Sequence, residues 1–277
     1  HSMKKNINIR WLYLALGVAS MLFAGIIYGW SILKAPFTSI WDASQLALNF
    51  TITMTFFCLG GFVGAKLSKR FGIMVSIIAA GVLSCAGFML ASLLDGSNIL
   101  MLYLSYGVLS GLGIGIAYNV VIATVSAWFP DKKGLCSGCL MMGFGASSLV
   151  IGNLMSSLMD SMGWEKAYML LGGALGAVLV ITALVLRKPD ENTVLPAPKV
   201  KKAAKEEAFE AKDYSTGEML RRPSFWMAFV GIGLLAAVGS SVISFAKDLS
   251  IATGAEESLA ITLVGVLSVC NGLGRIF

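Results

Sequence analysis

The chain has 277 residues, of which 57% are hydrophobic and 13% are charged, and its mean hydropathy is +0.80. Soluble domains carry about 25% charged residues, so this composition excludes a soluble globular protein. The net charge of +6 comes from Lys and Arg residues that lie mostly between apolar runs. That distribution is typical of membrane topology signals and argues against nucleic-acid binding.

Apolar runs long enough to cross a membrane recur along the whole chain. A helix needs about 20 residues to span about 30 Å of hydrocarbon. The runs that meet this length are 11–33, 46–67, 73–94, 99–128, 135–159, 164–186, 224–248 and 258–277. In lipid the backbone must satisfy its own hydrogen bonds, which favours helices. The sequence therefore predicts an all-α polytopic membrane protein with eight transmembrane helices.

The predicted helices fall into two groups separated by one polar segment. Residues 4–186 are expected to form an N-terminal six-helix bundle. Residues 187–222 are expected to be a cytosolic loop between the halves, with a short amphipathic helix in KKAAKEEAFEAK. Residues 223–277 hold the first two helices of a second bundle, which we expect to be incomplete because such bundles form related halves. Residues 1–3 are interpreted as a tag remnant.

The basic residues predict the orientation of the helices, since Lys and Arg accumulate in cytoplasmic loops. With the N-terminus inside, all of the 21 Lys and Arg residues lie in inside segments except Lys34, Lys166, Lys247 and Arg275. We therefore expect a multi-pass protein of the plasma (inner) membrane, with its N-terminus in the cytoplasm. The lipid bilayer is a predicted partner, nucleic acid is not, and a monomer is expected.

Glycines are expected to mark the closest helix contacts, because lipid supplies no hydrophobic force that would drive helices together. Gly107, Gly111 and Gly115 recur at every fourth position of one apolar run, and Gly60 and Gly64 have the same spacing in another. The spacing places each set on one face of its helix. We predict that these faces pack against neighbouring helices.

Metal, redox and enzymatic chemistry have little support in the sequence. The cysteines are odd in number and fall in or beside apolar runs, which argues against a disulfide framework. Cys136 and Cys139 form a CxxC pair, for which a metal or redox site is the alternative to simple packing. The chain's one histidine is His1, so an intramembrane enzyme would lack a base. We predict no cofactor, no metal and no enzymatic activity.

A polar stripe marks the last apolar run. Its members are spaced three or four residues apart and share one helix face: Ser258, Thr262, Gly265, Ser268, Asn271 and Arg275. An arginine in hydrocarbon costs about 2.5 to 3.5 kcal/mol, so Arg275 needs a cavity or a partner. Two interpretations remain open. Arg275 binds an anionic ligand with Asn271 beside it, or it pairs with a carboxylate or carbonyl of the bundle.

Three aromatic residues inside apolar runs are candidate cavity residues. Tyr28 and Trp30 lie near the end of the first run, where such residues also form interfacial belts. Tyr118 lies well inside its run, and its hydroxyl needs a hydrogen-bond partner. A cavity wall and an interfacial belt are both compatible with Tyr28 and Trp30, whereas the depth of Tyr118 favours the cavity.

One inner loop resembles a known family signature. GFVGAKLSKRFG at 61–72 is similar to the signature loop of the major facilitator superfamily, with Lys69 where that motif usually has an aspartate. AWFPDKKG at 127–134 is expected to be its counterpart. Each joins helices that would slide past one another, so we predict two gating loops, ending in glycines that can take positive φ where a helix must stop. The predicted gating residues are Lys69, Arg70, Gly72, Asp131, Lys132 and Gly134.

Longer stretches resemble the oxalate/formate antiporter family, a branch close to the monocarboxylate transporters. They are YGVLSGLGIGIAYNVVIATVSAWFPDKKGLCSGCLMMGFGASS at 106–148, GWEKAYMLLG at 163–172, EMLRRPSFW at 218–226 and NGLGR at 271–275. The resemblance implies a major-facilitator-type helical bundle. It also implies that Arg275 binds the substrate carboxylate and that Tyr118, Tyr28 and Trp30 line the substrate site.

The function expected from this resemblance is secondary active transport of small organic anions such as oxalate, formate or lactate. The mechanism would be alternating access of two half-bundles around a central site, with the protein acting as an antiporter. Two alternatives remain: a major-facilitator exporter of a different substrate class, and a ligand-sensing membrane protein that does not transport.

Overall fold

The computed structural model describes residues 2–190, 193–196 and 214–274. Two predictions lie outside the described residues. They are the amphipathic helix in KKAAKEEAFEAK and the substrate-binding residue Arg275. Within those ranges every regular element is helical and none is a strand. The all-helical part of the fold prediction is therefore confirmed.

The helices follow one another with mostly short connections. They are α1 (Asn8–Phe37), the run Ala43–Ser92 with its arms α2 (43–71) and α3 (73–92), α4 (Ile99–Ala127), α5 (Lys133–Met162), α6 (Trp164–Val185), α7 (Pro223–Ala252) and α8 (Glu257–Leu273). In the described part of the chain, six of these runs are long and apolar enough to cross a membrane. The shorter apolar helix α8 follows them.

The loops define two faces of the bundle. We call the side that carries Arg10, Gly72 and Asp131 the N-terminal face, and the side that carries Lys34 and Asp95 the far face. On the N-terminal face the Trp128 indole donates a hydrogen bond to the Arg187 carbonyl, at 2.7 Å. On the far face the Tyr168 hydroxyl donates to the Leu33 carbonyl, at 2.6 Å. The first bond joins the end of α4 to the segment after α6, and the second joins α6 to the end of α1.

Gly72 separates α2 from α3. Its φ of 86° and ψ of 168° are not helical, and φ in this range favours glycine because a side chain would clash. Without this break the 50-residue run would extend about 75 Å, far more than the thickness of a membrane. The positive φ predicted for Gly72 is confirmed.

Gly134 does not use this conformational freedom. Gly134 is the second residue of the helix Lys133–Gly145, and it is not among the glycines with positive φ. The chain has already turned over residues 128–132, and Lys132 takes the non-helical conformation at the N-cap, with φ of −141°. The helix therefore begins before the glycine and not after it.

Close backbone contacts join α2 to α4, as the glycine spacing predicts. A Cβ atom at Gly60 would lie 2.4 Å from the Leu112 carbonyl oxygen, and one at Gly115 would lie 2.1 Å from the Phe57 carbonyl oxygen. A Cβ atom at Gly111 would lie 2.7 Å from the Thr53 carbonyl oxygen. No side chain fits between these backbones, so the prediction that these glycines pack the helices is confirmed.

We expect Gly115→Ala to destabilise the protein by about 1–3 kcal/mol, because the added methyl group forces two backbones apart. Gly134→Ala is the matched control, since nothing lies within 4 Å of a Cβ atom at Gly134 and its backbone is helical. This control should leave stability unchanged or slightly raised. Thermal unfolding in detergent measures both, and equal melting temperatures for the two variants would contradict the packing assignment.

Three helices depart from α geometry along part of their length. In α1 the segment Gly25–Gly29 is a 3₁₀ helix. In α4 the segment Tyr103–Ser110 is a π-helix, and in α5 so is Ser148–Gly152. Such irregular turns change which way the following side chains point, and π-helical turns are frequent at functional sites.

The helices α7 and α8 pack differently from the first six. Every residue of α7 from Trp226 to Gly239 is exposed, whereas Ser244 and Ala246 are buried. In α8 Gly265 is buried against α5, where a Cβ atom would lie 2.3 Å from the Leu149 side chain. The middle of the predicted polar stripe on α8 is therefore a packing contact.

Candidate functional site

An aromatic cluster joins four helices near the middle of their lengths. Phe144 on α5 is fully buried, and its ring contacts Tyr28 at 5.1 Å, Tyr118 at 4.9 Å and Phe57 at 5.8 Å between centroids. Phe57 also contacts Tyr118 edge to face, at 5.2 Å. Such geometry is favourable for aromatic pairs. The structure thus brings together the predicted residues Tyr28 and Tyr118, through two phenylalanines that the sequence analysis did not select.

The depth of the cluster follows from the helix bounds. Tyr28 lies nine residues before the end of α1 at the far face, which corresponds to about 13 Å. Tyr118 lies nine residues before the end of α4 at the N-terminal face, again about 13 Å. Since hydrocarbon is about 30 Å thick, the cluster occupies its central part.

Backbone contact between α1 and α5 places Tyr28 beside Phe144. A Cβ atom at Gly25 would lie 2.0 Å from the Phe144 carbonyl oxygen. The 3₁₀ segment Gly25–Gly29 continues from this contact and carries Tyr28 toward the Phe144 ring. Tyr28, Tyr118 and Phe57 remain partly exposed, whereas the Phe144 ring that all three contact is fully buried. These three rings are therefore the members of the cluster that a ligand could reach.

The predicted residue Asn271 lies near the C-terminal end of α8. Asn271 is partly buried and lies fourteen residues after the start of α8, which corresponds to about 21 Å. Ser268, another member of the polar stripe, is buried, and its hydroxyl donates a hydrogen bond to the Val264 carbonyl at 3.0 Å. Arg275 follows Asn271 by four residues in the sequence, and its role stays a prediction.

Trp30 occupies a different place from the other predicted aromatic residues. It is fully buried near the far face, and its indole donates a hydrogen bond to the Leu46 carbonyl at 2.9 Å. Its ring contacts Tyr106 at 4.6 Å and Phe37 at 6.4 Å. These contacts hold α1, α2 and α4 together. In this conformation Trp30 packs the far-face core and does not share the cluster around Phe144.

The loop AWFPDKKG is fixed on the N-terminal face by a buried ion pair. Arg10 of α1 donates to Asp131 at 2.7 Å, and the two side chains are only 5% and 11% exposed. The Arg10 guanidinium also lies over the Phe129 ring, 4.8 Å from its centroid. Lys132 lies over the Trp11 ring, at 5.7 Å. The predicted gating residues Asp131 and Lys132 therefore connect this loop to α1.

The loop between α2 and α3 is far more exposed. Lys69, Arg70 and Gly72 are all exposed. The Arg70 guanidinium lies over the ring of the adjacent Phe71, at 5.2 Å. Among the ion pairs of the described residues, none includes this loop. The two predicted gating loops are thus unequal, since one is tied to α1 and the other faces solvent.

The Arg10–Asp131 pair also shows what the sequence analysis missed. Arg10 was counted only as a topology signal, although the structure makes it the partner of Asp131. The two residues are 121 positions apart, and no local spacing connects them. Phe144 lies in GFGASS, where a single apolar residue among small ones gave no sign that three rings would contact it.

Asp131→Asn should destabilise the protein by about 3–5 kcal/mol, because it leaves the buried Arg10 guanidinium without its counter-charge. Lys133→Gln is the control, since Lys133 is exposed and lies two residues after Asp131. Its effect should be negligible. Chemical or thermal unfolding in detergent measures the difference, and an Asp131→Asn variant as stable as the control would show that the ion pair contributes nothing.

Comparison with known proteins identifies the class that this architecture defines. Helices of this length, apolarity and mutual packing define a multi-pass helical membrane protein. The family model "Major Facilitator Superfamily" matches residues 12–277. The chain belongs to the major facilitator superfamily, whose secondary transporters carry their sites between two helical halves.

Several relatives are similar over most of the chain. The chain is 31% identical over 270 residues to the "Uncharacterized MFS-type transporter YhjX" of Escherichia coli (strain K12), covering 96% of this chain and 64% of that protein. It is 30% identical over 253 residues to the "Oxalate:formate antiporter" of Oxalobacter formigenes, covering 88% and 57%. It is 28% identical over 258 residues to "Monocarboxylate transporter 12" of Mus musculus, covering 85% and 52%. The chain therefore spans between about half and two thirds of these relatives.

Proposed function

We propose that the protein is a secondary active transporter of small organic anions, which binds a mono- or dicarboxylate at the aromatic cluster. The observation that supports this most directly is the meeting of Tyr28, Tyr118 and Phe57 around the buried Phe144 at mid-membrane depth. A carboxylate can accept a hydrogen bond from a tyrosine hydroxyl, while the rings exclude water from the charge.

The cationic component of the proposed site is Arg275, with Asn271 four residues before it. Arginine suits this task because its planar guanidinium can hold both oxygens of a carboxylate and stays charged at any accessible pH. Two of the similar proteins are named for carboxylates: the oxalate:formate antiporter and the monocarboxylate transporter. These names support the substrate class proposed for this chain, with oxalate, formate and lactate as the first compounds to test.

The proposed mechanism is alternating access by exchange. Residues 4–186 would form the first half-bundle and residues 223–277 the beginning of the second, connected by the cytosolic loop 187–222. An unpaired Arg275 charge in the low-dielectric interior would make the conformational change of the empty protein unfavourable. A bound carboxylate would neutralise that charge. The loaded protein would then change conformation more readily than the empty one, which produces antiport. We further propose that the eight helical segments all cross the plasma (inner) membrane and that the protein acts as a monomer.

Arg275→Gln should nearly abolish binding and exchange of carboxylates, and Arg275→Lys should weaken binding at least about tenfold. One charge-assisted hydrogen bond contributes about 1.5–3 kcal/mol, which corresponds to roughly one to two orders of magnitude in affinity. Lys166→Gln is the matched control, since it removes an exposed positive charge from the far face. Counterflow of labelled oxalate, formate and lactate into liposomes, with the native-length protein, is the measurement.

If Arg275→Gln exchanges these anions with normal affinity, Arg275 does not bind the substrate. If the unmodified protein exchanges none of them, the proposed substrate class is wrong. Counterflow also separates a transporter from a ligand-sensing protein, which would bind the anion without moving it.

The proposed orientation predicts which face a reagent can reach. In a background without the native cysteines, Ser215→Cys in the loop before α7 should react with a membrane-impermeant maleimide only from the cytosol. Ser97→Cys on the far face is the matched control and should react only from outside; both serines are exposed. Labelling of Ser215→Cys in intact cells would reverse the proposed orientation.

A further inference from the structure

An ion pair connects α1 to α7 at the far face. The Lys34 ammonium forms a hydrogen-bonded ion pair with Asp248. The same ammonium lies over the Phe245 ring, 5.1 Å from its centroid. Lys34 belongs to the end of the first helix, whereas Phe245 and Asp248 belong to α7. Both contacts of this lysine therefore cross from the first six helices to the helix that follows the long loop.

A small apolar cluster lies directly beneath the ion pair. Ile32, Ala246 and Val264 come from α1, α7 and α8, and they are 1%, 7% and 2% exposed. Ile32 and Ala246 each precede a member of the ion pair by two residues. By contrast, α7 is exposed throughout from Trp226 to Gly239, toward the N-terminal face. The contact between α7 and the first six helices is thus concentrated at the far face.

We propose that the Lys34–Asp248 ion pair is the closing contact of the far face, which must break when that face opens to the outside. This inference rests on the alternating access proposed above, since only such a movement separates α1 from α7. With the pair formed, the far face is closed by the ion pair and by the apolar cluster beneath it. Loss of the pair should shift the population toward a conformation that is open at the far face.

The unequal burial of the two partners gives the proposal a specific signature. The Lys34 side chain is 8% exposed, whereas the Asp248 side chain is 51% exposed. Removing the Asp248 charge leaves a buried ammonium unpaired, and opening relieves this by hydrating it. Removing the Lys34 charge leaves a carboxylate that water already reaches. Asp248→Asn should therefore open the far face more than Lys34→Gln.

The chain also supplies a matched control pair. Lys247 and Glu257 form an ion pair of 2.6 Å next to the proposed contact. Lys247 lies on α7 and Glu257 on α8, so this pair does not reach the first six helices. Glu257→Gln removes one negative charge at the same face without removing a contact between α1 and α7.

The test measures the accessibility of a single reporter cysteine in the native-length protein. Native cysteines are replaced, and Ser244→Cys is introduced because Ser244 is 4% exposed beside the closing contact. A membrane-impermeant maleimide is added from outside, and the labelling rate is measured. Ser97→Cys, made separately in each variant, reports whether that variant is inserted and folded, because its labelling rate should not change.

We expect Asp248→Asn to raise the Ser244→Cys labelling rate about tenfold, equivalent to about 1.4 kcal/mol, and Lys34→Gln to raise it less. Adding Lys34→Gln to Asp248→Asn should lower the rate again, because no buried charge is then left unpaired. Glu257→Gln should leave it unchanged. An unchanged rate in Asp248→Asn, an equal rise in Glu257→Gln, or simply additive effects in the double variant would overturn the proposal.

The same proteins separate this proposal from the proposed substrate. Reporter labelling needs no substrate, so the expected labelling pattern without carboxylate exchange would support the closing contact and reject the carboxylate. Carboxylate exchange with labelling rates that do not respond to Asp248→Asn would reject the closing contact alone.

Discussion

At Gly25 the backbone of α1 touches that of α5 so closely that a Cβ atom would lie 2.0 Å from the Phe144 carbonyl oxygen. Lipid offers no hydrophobic force between helices, so contacts of this kind hold the bundle together. This one also determines where Tyr28 and Phe144 meet. Glycine contacts between α2 and α4 bring Phe57 and Tyr118 together, and both rings contact Phe144. The candidate site is therefore a product of backbone packing, with the aromatic rings filling the space that remains.

Helices, their approximate bounds and the glycine contacts could be predicted because each depends on residues close together in the sequence. The length of an apolar run and the spacing of glycines are local properties. The break at Gly72 also follows from local chemistry, since a helix twice the thickness of a membrane must turn. Gly134 shows the limit of this reasoning, because a glycine permits positive φ without requiring it, and the chain had turned earlier.

The candidate site was predicted only in part, because it depends on how distant helices face one another. Tyr28 and Tyr118 were identified as polar aromatic residues inside apolar runs. Trp30 had the same pattern, but its burial between α1, α2 and α4 depends on three helices at once. The partnership of Arg10 with Asp131 likewise requires the fold. The two predicted gating loops also differ in a way that the sequence could not show, since of these two only AWFPDKKG is fixed by a buried ion pair.

The π-helical segment Tyr103–Ser110 gives the later part of α4 a rotational phase that an uninterrupted α-helix would not have. Each residue of an α-helix advances the chain by about 100°. If this segment rearranged into α geometry with the same number of residues, every later side chain would turn by about that angle. Tyr118 would then point away from Phe144, and the glycines at 111 and 115 would leave α2. The π geometry of this one irregular stretch therefore aligns everything that α4 contributes to the site.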